Sequence, residues 1–358
     1  MRRLTILCPA VLLALVAVST AGAFLPAESR TSATTRASTT SWADPQIRVV
    51  TALGILGHDP GILSTDPLTR GELADALAAW GKPVATPADP TKLVTMRELD
   101  AQLVGALGLL PAAKRIRIAA RDAGLEPTSI VGTESVARLL GLRINHPQGS
   151  DDLELLPAQP ATRAEAAYSL AQALKVTSAQ ISSLDQLTRT FVLPELGEWQ
   201  RVVLGRALRF VGYPYVYSGT SEAPQKLWST TAPGGWLTAP GGFDCSGFVW
   251  RVFKLQEYAG GESLADTLQG RTAAAMAGEV GRAKRISFAK LQPADILFFA
   301  TSGSLTKAAS VDHAGIYLGN GWMIHSSRFG VAVVPVTSGW YRDRFAWGRR
   351  PLAEAGLS

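Results

Sequence analysis

The stretch Phe243-Asp244-Cys245-Ser246-Gly247-Phe248-Val249-Trp250 decides how the C-terminal half of this chain folds. Gly241 and Gly242 precede it, and apolar residues then recur at helical spacing: Phe248, Val249, Val252 and Phe253. This pattern predicts a buried helix with Cys245 in its first turn. Free N–H groups at a helix N-terminus favour an anion, so we expect a readily ionised thiol that acts as a nucleophile.

Two of the four histidines follow the cysteine in one hairpin, where Gly319-Asn320-Gly321 separates two apolar segments. A two-residue turn at Asn320-Gly321 would place His313 and His325 on opposite faces. A three-residue loop ending at Gly321 would pair Gly315 with His325 and bring both rings to one face, roughly 7–8 Å apart. We expect the three-residue loop with a glycine bulge, because a base and the residue that orients it must share a face.

Four motifs occur in a fixed order: Gly212-Tyr213-Pro214-Tyr215-Val216-Tyr217, Asp244-Cys245-Ser246-Gly247, the segment 291–299 and the hairpin 313–321. Together they resemble the NlpC-type cell-wall peptidases, a papain-like family of cysteine endopeptidases. The resemblance implies an α+β fold for residues 198–352, with a central antiparallel sheet. It also implies cleavage of peptidoglycan stem peptides, at the bond between D-glutamate and a diamino acid.

The resemblance gives each motif residue a role. Cys245 is the expected nucleophile, His313 the general base and His325 the residue that orients it. Tyr215 is expected near the oxyanion, and Asp244 and Ser246 at the substrate's free amine. Asp312 is a rival orienter, but as the neighbour of His313 on a strand it faces the other way, so we expect a solvated or capping carboxylate.

The sequence departs from the family pattern at three places. Ser218 stands where a glycine pair usually begins, and Ala294 replaces the glycine of a Pro-Gly-Asp turn. The third is a polar, Trp-containing insertion at 221–240, directly before the nucleophile. We expect this insertion to border the cleft and to narrow, cover or re-specify it.

The N-terminus has the pattern of an export signal. Arg2 and Arg3 precede an apolar run, and Ala21-Gly22-Ala23 fits a cleavage site, so residues 1–23 are a predicted signal peptide. A retained membrane anchor is the alternative, but Pro9 interrupts a run shorter than the roughly 18 residues that an anchor needs. Cleavage would remove Cys8 and leave Cys245 as a lone thiol in an oxidising compartment, which favours reactivity over an inert buried thiol.

Composition bounds the remaining possibilities. The chain has 358 residues, of which 47% are hydrophobic and 18% charged, as in a globular protein with two domains. Its net charge of +6 favours anionic wall polymers as partners. We expect no nucleic-acid partner, because the chain has no compact Lys/Arg run or binding module, and no membrane contact after signal cleavage. No cofactor or metal is expected.

The N-terminal half contains three related helix starts, each with a threonine followed by glutamate three residues later: 69–77, 95–103 and 162–170. Each is a predicted capping box. With the preceding helical segment 47–57, they resemble S-layer homology repeats, a family that bundles three repeats and binds secondary cell-wall polymers. The alternative is a helical domain that only spaces the enzyme. His58 and His146 fall in predicted loops and are expected to be surface residues.

These patterns predict an all-α repeat domain at 42–176, after a flexible linker at 24–41 and before a second linker at 177–197. The expected protein is a secreted, cell-wall-associated peptidoglycan hydrolase. Two alternatives remain open from the sequence. One is a non-catalytic wall-binding scaffold, and the other is an amidase or acyl transferase on the same fold.

Overall fold

Seven helices form the N-terminal half in the computed structural model, which describes residues 41–57, 62–146, 153–228 and 233–357. The predicted signal peptide, His58 and all of the first linker except Ser41 lie outside the described residues. The helices are α1 (Asp44–Ala52), α2 (Arg70–Ala79), α3 (Met96–Ala106), α4 (Leu110–Asp122), α5 (Val131–Leu139), α6 (Arg163–Ala173) and α7 (Ser178–Arg189). None of the described helices combines the length and apolarity that crossing a bilayer requires.

The three predicted helix starts meet in a closed ring of backbone hydrogen bonds. Leu68 N donates to Ala161 O at 2.8 Å, Ala161 N to Val94 O at 2.7 Å, and Val94 N to Leu68 O at 2.9 Å. Each of these residues directly precedes the threonine that starts α6, α3 or α2, so the three segments occupy equivalent places around one junction. The internal repeat seen in the sequence is therefore also a repeat in space.

Two of the three capping boxes are complete. Thr69 N donates to the Glu72 carboxylate at 2.8 Å, and Thr95 N to that of Glu98 at 2.9 Å. In the third, Thr162 caps the N–H of Glu165 at 3.3 Å, but the carboxylate turns away to Arg143 and His146. The prediction of a complete third box was wrong, because a buried guanidinium is the stronger partner for a buried carboxylate.

The predicted linker at 177–197 is ordered structure. Thr177 caps α7, and Phe191, Leu193 and Leu196 beyond the helix are buried. The segment also contacts the C-terminal half, since Asn320 Nδ2 donates to Val192 O at 2.8 Å and Trp322 Nε1 to Thr190 O at 3.2 Å. Polar composition suggested a linker, but the few apolar residues are the ones that pack. All described residues belong to one compact unit.

The C-terminal half combines short helices with three small sheets. Its helices are α8 (Glu198–Leu208), α9 (Cys245–Phe253), α10 (Ala273–Gly278), α11 (Gly339–Arg344) and α12 (Pro351–Glu354). Its strands are β1 (Thr220–Ser221), β2 (Gln225–Trp228), β3 (Trp236–Ala239), β4 (Gly242–Phe243), β5 (Ile296–Phe299), β6 (His313–Gly319), β7 (Trp322–Ser327), β8 (Gly330–Pro335) and β9 (Phe345–Arg349). The predicted α+β class is confirmed.

The main sheet is antiparallel, in the order β8-β7-β6-β5-β9, and α9 packs against β6 and β7. The sequence predicts strands at 295–300, 314–318, 322–326 and 331–336, which correspond to β5, β6, β7 and β8, while β9 was not predicted. The sequence also predicts one helix over 263–280, but the structure has a 3₁₀ turn at Glu262–Thr267 followed by the short α10. Between them the extended chain carries Arg271 to Asp244, and this contact separates the two helical pieces.

The hairpin that joins β6 and β7 has the predicted register but not the predicted loop. Asn320 and Gly321 both have positive φ, 47° and 82°, and form a two-residue turn. The extra residue lies in β6, where the pairing shifts between Tyr317 and Gly319. Ile316 pairs with Ile324, so Gly315 lies opposite His325. A bulge within the strand thus brings both histidines to one face.

Candidate active site

Cys245 is the first residue of α9, as the sequence predicted. Asp244 caps this helix by accepting a hydrogen bond from Gly247 N at 2.5 Å. A side chain at Gly247 could not fit, because its Cβ would lie 1.9 Å from the carbonyl oxygen of Gly219. The Asp-Cys-Ser-Gly motif therefore fixes the cysteine between a capped helix end and a neighbouring loop.

The thiol is not ionised in the way the sequence suggested. Cys245 is only 8% exposed, and burial followed by the nearby Asp244 carboxylate raises the pKa of its thiol to about 11. The backbone N–H groups of Ala314 and Ser246 and the Arg271 charge favour the thiolate but do not outweigh burial. The expected lowering of the pKa by the helix N-terminus was wrong, because desolvation is the larger effect here.

His313 and His325 contact each other directly across the β6–β7 pair. His313 Nε2 lies 2.7 Å from His325 Nδ1, and the two rings are nearly perpendicular, at 88°. Burial lowers the pKa of His313 to about 4, against the weaker opposing effect of Asp312 and Asp244. Burial, and then His313, lowers the pKa of His325 well below its ordinary value. Both rings are therefore neutral at neutral pH.

Tyr341 is a third member of this chain of contacts that the sequence analysis missed. Its hydroxyl lies 3.3 Å from His325 Nε2, and its ring lies nearly parallel to that of His313, with centroids 6.1 Å apart. If His313 is to accept a proton at Nδ1, its Nε2–H must donate to His325 Nδ1, and His325 Nε2–H must then donate to the Tyr341 oxygen. No periodic pattern around 341 pointed to this residue.

Asp312 takes the structural position expected for it. Its carboxylate is exposed and accepts hydrogen bonds from Thr301 N, at 2.9 Å, and from the Thr301 hydroxyl. Its backbone oxygen lies 3.8 Å from Cys245 Sγ. Asp312 is thus a solvated carboxylate, one of the two predicted roles, and its side-chain hydrogen bonds go to Thr301 and not to His313.

Tyr215 lies beside the cysteine. Its backbone forms a parallel bridge with Phe243, two residues before the nucleophile. Burial, and then the nearby Cys245 and Asp244, raises the pKa of the Tyr215 hydroxyl. The phenol is thus a protonated donor at neutral pH, as stabilising an oxyanion requires.

Asp244 and Ser246 already have a cationic partner within the chain. Arg271 donates to both Asp244 oxygens, at 3.2 and 3.0 Å, and to Ser246 Oγ at 2.8 Å. Ser218 N also donates to Asp244, at 2.9 Å. A substrate amine would have to share these acceptors with Arg271. The sequence did not point to Arg271, because a lone arginine before a short helix carries no distinctive pattern.

The two glycine replacements lie where backbone geometry favours glycine. Ser218 and Ala294 have φ values of 64° and 70°, in the left-handed region that is costly for residues with a Cβ atom. The family pattern thus identified positions with a conformational requirement. This chain meets the requirement with non-glycine residues.

His146 is not the surface residue that its loop position suggested. It is buried, stacks on Trp42 with ring centroids 4.0 Å apart, and lies 3.2 Å from Glu165. Around it is a buried charge cluster whose members are Asp100, Glu134, Arg138, Arg143, His146, Glu154 and Glu165. No group of His, Cys, Asp or Glu side chains in the described part of the chain is arranged to hold a metal ion.

The charge cluster joins the two halves of the molecule. Arg138 on α5 pairs with Glu154 at 3.1 Å and donates to the carbonyl oxygens of Gly212 and Phe329. Gly212 begins the segment that leads to Tyr215, and Phe329 lies in the turn between β7 and β8. The helical half therefore holds two loops of the half that contains Cys245.

The helix that begins at Cys245 packs against β6 and β7, the two strands that carry His313 and His325. Residues 212–350 match the NlpC/P60 family. The C-terminal region of this chain is thus an NlpC/P60 domain, in agreement with the resemblance found in the sequence. The resemblance of the N-terminal half to S-layer homology repeats stays a prediction.

Two curated relatives illustrate the similarity. A probable endopeptidase of Mycobacterium tuberculosis is 35% identical over 151 residues, which are 41% of this chain and 29% of that protein. A gamma-D-glutamyl-L-lysine dipeptidyl-peptidase of Bacillus cereus is 30% identical over 146 residues, covering 40% of this chain and 34% of that protein. The chain thus spans about a third of the length of these relatives.

Among solved structures, an NlpC/P60 family protein from Bacillus cereus is 24% identical, with a TM-score of 0.31. The similarity covers 46% of this chain and 43% of that one.

Proposed function

We propose that this protein is a secreted, cell-wall-associated cysteine endopeptidase that hydrolyses peptidoglycan stem peptides. The observation that carries the proposal is the 2.7 Å contact between His313 Nε2 and His325 Nδ1, on the two strands against which the helix that begins at Cys245 packs. The family match at 212–350 supports peptidoglycan as the substrate. The predicted signal peptide and the net charge of +6 support the location.

The neutral resting state favours general-base catalysis over a preformed ion pair. With the thiol pKa raised and the His313 pKa lowered, the thiol keeps its proton until the substrate binds. His313 Nδ1 then accepts the proton as sulfur attacks the carbonyl carbon, and His325 stabilises the resulting imidazolium through Nε2–H of His313. Exclusion of water by the substrate strengthens this interaction.

The remaining steps use the same groups. The backbone N–H of Cys245 and the Tyr215 hydroxyl stabilise the oxyanion, each donor being worth about 3 kcal/mol. His313 returns the proton to the leaving amine, and a thioester to Cys245 remains. Water, deprotonated by His313, attacks the thioester and releases the carboxylic acid and the thiol. Every proton taken up by His313 is thus given back within one turnover.

The bond cleaved is proposed to be that between D-glutamate and the diamino acid. The name of the Bacillus cereus relative, a gamma-D-glutamyl-L-lysine dipeptidyl-peptidase, supports this choice. Arg271 already donates hydrogen bonds to Asp244 and Ser246. A free substrate amine would therefore compete with this arginine for the same oxygens.

A digest of purified muropeptides with wild type and Cys245→Ala, analysed by mass spectrometry, tests the proposal. We expect new fragments ending in D-glutamate with the wild type and none with Cys245→Ala. Fragments from cleavage between muramic acid and L-alanine, or acyl-transfer products, would indicate the amidase or transferase alternative. Unchanged muropeptides with both proteins would contradict hydrolysis and favour the scaffold.

The N-terminal half is proposed to bind a secondary cell-wall polymer. The ring of backbone bonds joining the three repeats supports an S-layer homology type of bundle. Sedimentation of Cys245→Ala with purified walls, before and after hydrofluoric acid removes the polymers, tests this. We expect binding to fall after extraction; equal binding to both preparations would contradict it.

A further inference from the structure

The insertion before the nucleophile is a β-hairpin with one face exposed. In its strands β2 and β3, Leu227 and Leu237 pack against a small cluster that contains Leu153 of the helical half and Val216. The opposite face carries Lys226, Trp228, Trp236 and Thr238, which we call the tryptophan face. Burying one side of the ribbon against both halves of the molecule fixes the other side towards solvent.

The two tryptophans are exposed to an unusual extent for rings of this size. Trp228 is 60% exposed and Trp236 52% exposed, and their ring centroids are 5.4 Å apart at an interplanar angle of 87°. Gly235, with φ of 74°, makes room for Trp228, since a Cβ atom there would lie 2.4 Å from that ring. Neighbouring exposed aromatic rings held in a defined geometry are typical of binding surfaces.

Charge on this face is positive. Lys226 Nζ lies 5.1 Å from the centre of the Trp236 ring. The acidic residue at the base of the hairpin, Glu222, is already paired with Arg206, at 3.0 Å, and with Arg251. The tryptophan face therefore combines flat apolar surfaces with a cation. These features fit a ligand that has uncharged rings and carries carboxylates close to them.

The hairpin is continuous with the strand that leads into the nucleophile. Ser221, at its start, pairs with Gly242 in the sheet of β1 and β4, and Gln225 Nε2 donates to Gly242 O at 2.9 Å. Gly242 lies three residues before Cys245. The tryptophan face is therefore attached directly to the strand that ends at the nucleophile.

We propose that the tryptophan face binds the glycan strand of peptidoglycan, an inference that rests on the proposed function. Stem peptides are attached to this strand through lactyl groups, so a substrate that delivers its peptide to Cys245 brings pyranose rings with it. The C–H faces of these rings can stack on Trp228 and Trp236, while Lys226 pairs with carboxylates along the strand.

Binding of peptide-free glycan strands, with free lactyl carboxylates, separates this inference from catalysis. In the full-length Cys245→Ala protein, we expect Trp228→Ala and Trp236→Ala each to weaken glycan binding about fivefold in calorimetric titrations. Lys226→Gln should weaken binding at low salt and have little effect at high salt. The matched control is Trp340→Ala, because Trp340 is also exposed and has Arg344 beside its ring.

Several outcomes would overturn the inference. These are no glycan binding by the parent protein, equal binding by the two hairpin variants, or an equal loss with Trp340→Ala. Binding of the same face to phosphatidylglycerol vesicles, with no binding to glycan, would indicate a membrane instead.

Hydrolysis of a sugar-free stem peptide by the Cys245-containing chain provides the independent arm. We expect kcat/KM for this peptide to be unchanged in both hairpin variants, which supports a separate glycan surface. A parallel loss on the sugar-free peptide would overturn it. No cleavage by the wild type, with glycan binding intact, would contradict the proposed function and leave the glycan surface supported.

Discussion

Two buried imidazoles in this molecule have opposite surroundings. His325, in the C-terminal half, contacts the neutral ring of His313 and the neutral hydroxyl of Tyr341. His146, in the helical half, contacts the Glu165 carboxylate, which also pairs with Arg143 at 3.0 Å. A row of neutral donors and acceptors can relay hydrogen bonds when a proton moves, whereas a cluster of fixed charges holds segments together. The comparison separates a site suited to chemistry from one suited to joining the two halves.

Removing His313 should mainly lower kcat, whereas removing His146 should mainly lower the free energy of unfolding. His313→Ala is expected to lower kcat at least about 10³-fold, because the thiol, with its raised pKa, loses its base. Steady-state kinetics on a soluble stem peptide measures this. Loss of less than about tenfold would contradict the role of His313.

The matched control is His146→Ala. It is expected to keep kcat within about twofold but to lower the free energy of unfolding by about 1–3 kcal/mol, since Glu165 loses a buried partner. Denaturant unfolding of both variants provides the comparison.

The buried charge cluster should be the costlier site to damage structurally. Arg143 contacts Glu154 and Glu165, at 3.1 and 3.0 Å, and all three side chains are buried. Arg143→Ala would leave both carboxylates with one less partner in a dry environment, so we expect a loss of about 3–5 kcal/mol in the free energy of unfolding. Denaturant unfolding monitored by circular dichroism measures it.

The repeat provides a control at an equivalent junction. Arg70 pairs with Glu98 where both side chains are about one-third exposed, so Arg70→Ala should cost no more than about 1 kcal/mol. Similar losses in the two variants would contradict the distinction between a buried and a solvated pair.

Substitution of Tyr341 tests the role of the neutral hydrogen bonds around His325. Tyr341→Phe removes the oxygen that accepts His325 Nε2–H, and we expect kcat to fall about tenfold with KM unchanged. A purely structural role would change the melting temperature and leave the kcat of the remaining folded protein intact. Unchanged kcat, or a fall that matches lost folded protein, would contradict the positioning role.

The sequence predicted the local features of the site better than its electrostatics. The helix beginning at Cys245 followed from helical spacing, which is a local property. Strand alternation left two registers open, and the shared face of His313 and His325 was chosen because a base and its orienter must lie on one side. The thiol pKa could not be predicted, because it depends on how many distant atoms exclude water from the sulfur. Tyr341 and Arg271 reach the site because the chain reverses direction, and no periodic pattern in the sequence predicts those reversals.

The sequence predicted the repeats of the helical half but not the contact between this half and the C-terminal half. The threonine and glutamate spacing located α2, α3 and α6. Composition alone suggested a linker at 177–197, where a few buried apolar residues form a contact between the halves. Isolated apolar residues in a polar segment do not reveal which surface they meet.

Protonation of Glu134 should make the stability of the protein depend on pH. Burial, followed by Asp100, raises the pKa of the Glu134 carboxyl to about 8 from an ordinary 4.5, against Arg138 and Arg143. The folded state therefore holds a proton that the unfolded state releases, so stability is lost as pH rises from about 4.5 to about 8. Between pH 6 and 9 the wild type should lose about 2–3 kcal/mol in the free energy of unfolding, and Glu134→Gln should flatten this slope. Equal slopes would contradict it.

We expect the thiol of Cys245 and the imidazole of His313 both to be neutral at rest, and the ionisation of Cys245 is the measurement that tests this. The rate of alkylation of Cys245 by iodoacetamide, measured from pH 5 to 11.5, follows the thiolate fraction. We expect slow labelling at neutral pH, with a rate that rises towards a pKa of about 11. An inflection below about pH 7 that disappears in His313→Ala would instead show a preformed thiolate–imidazolium pair and contradict it.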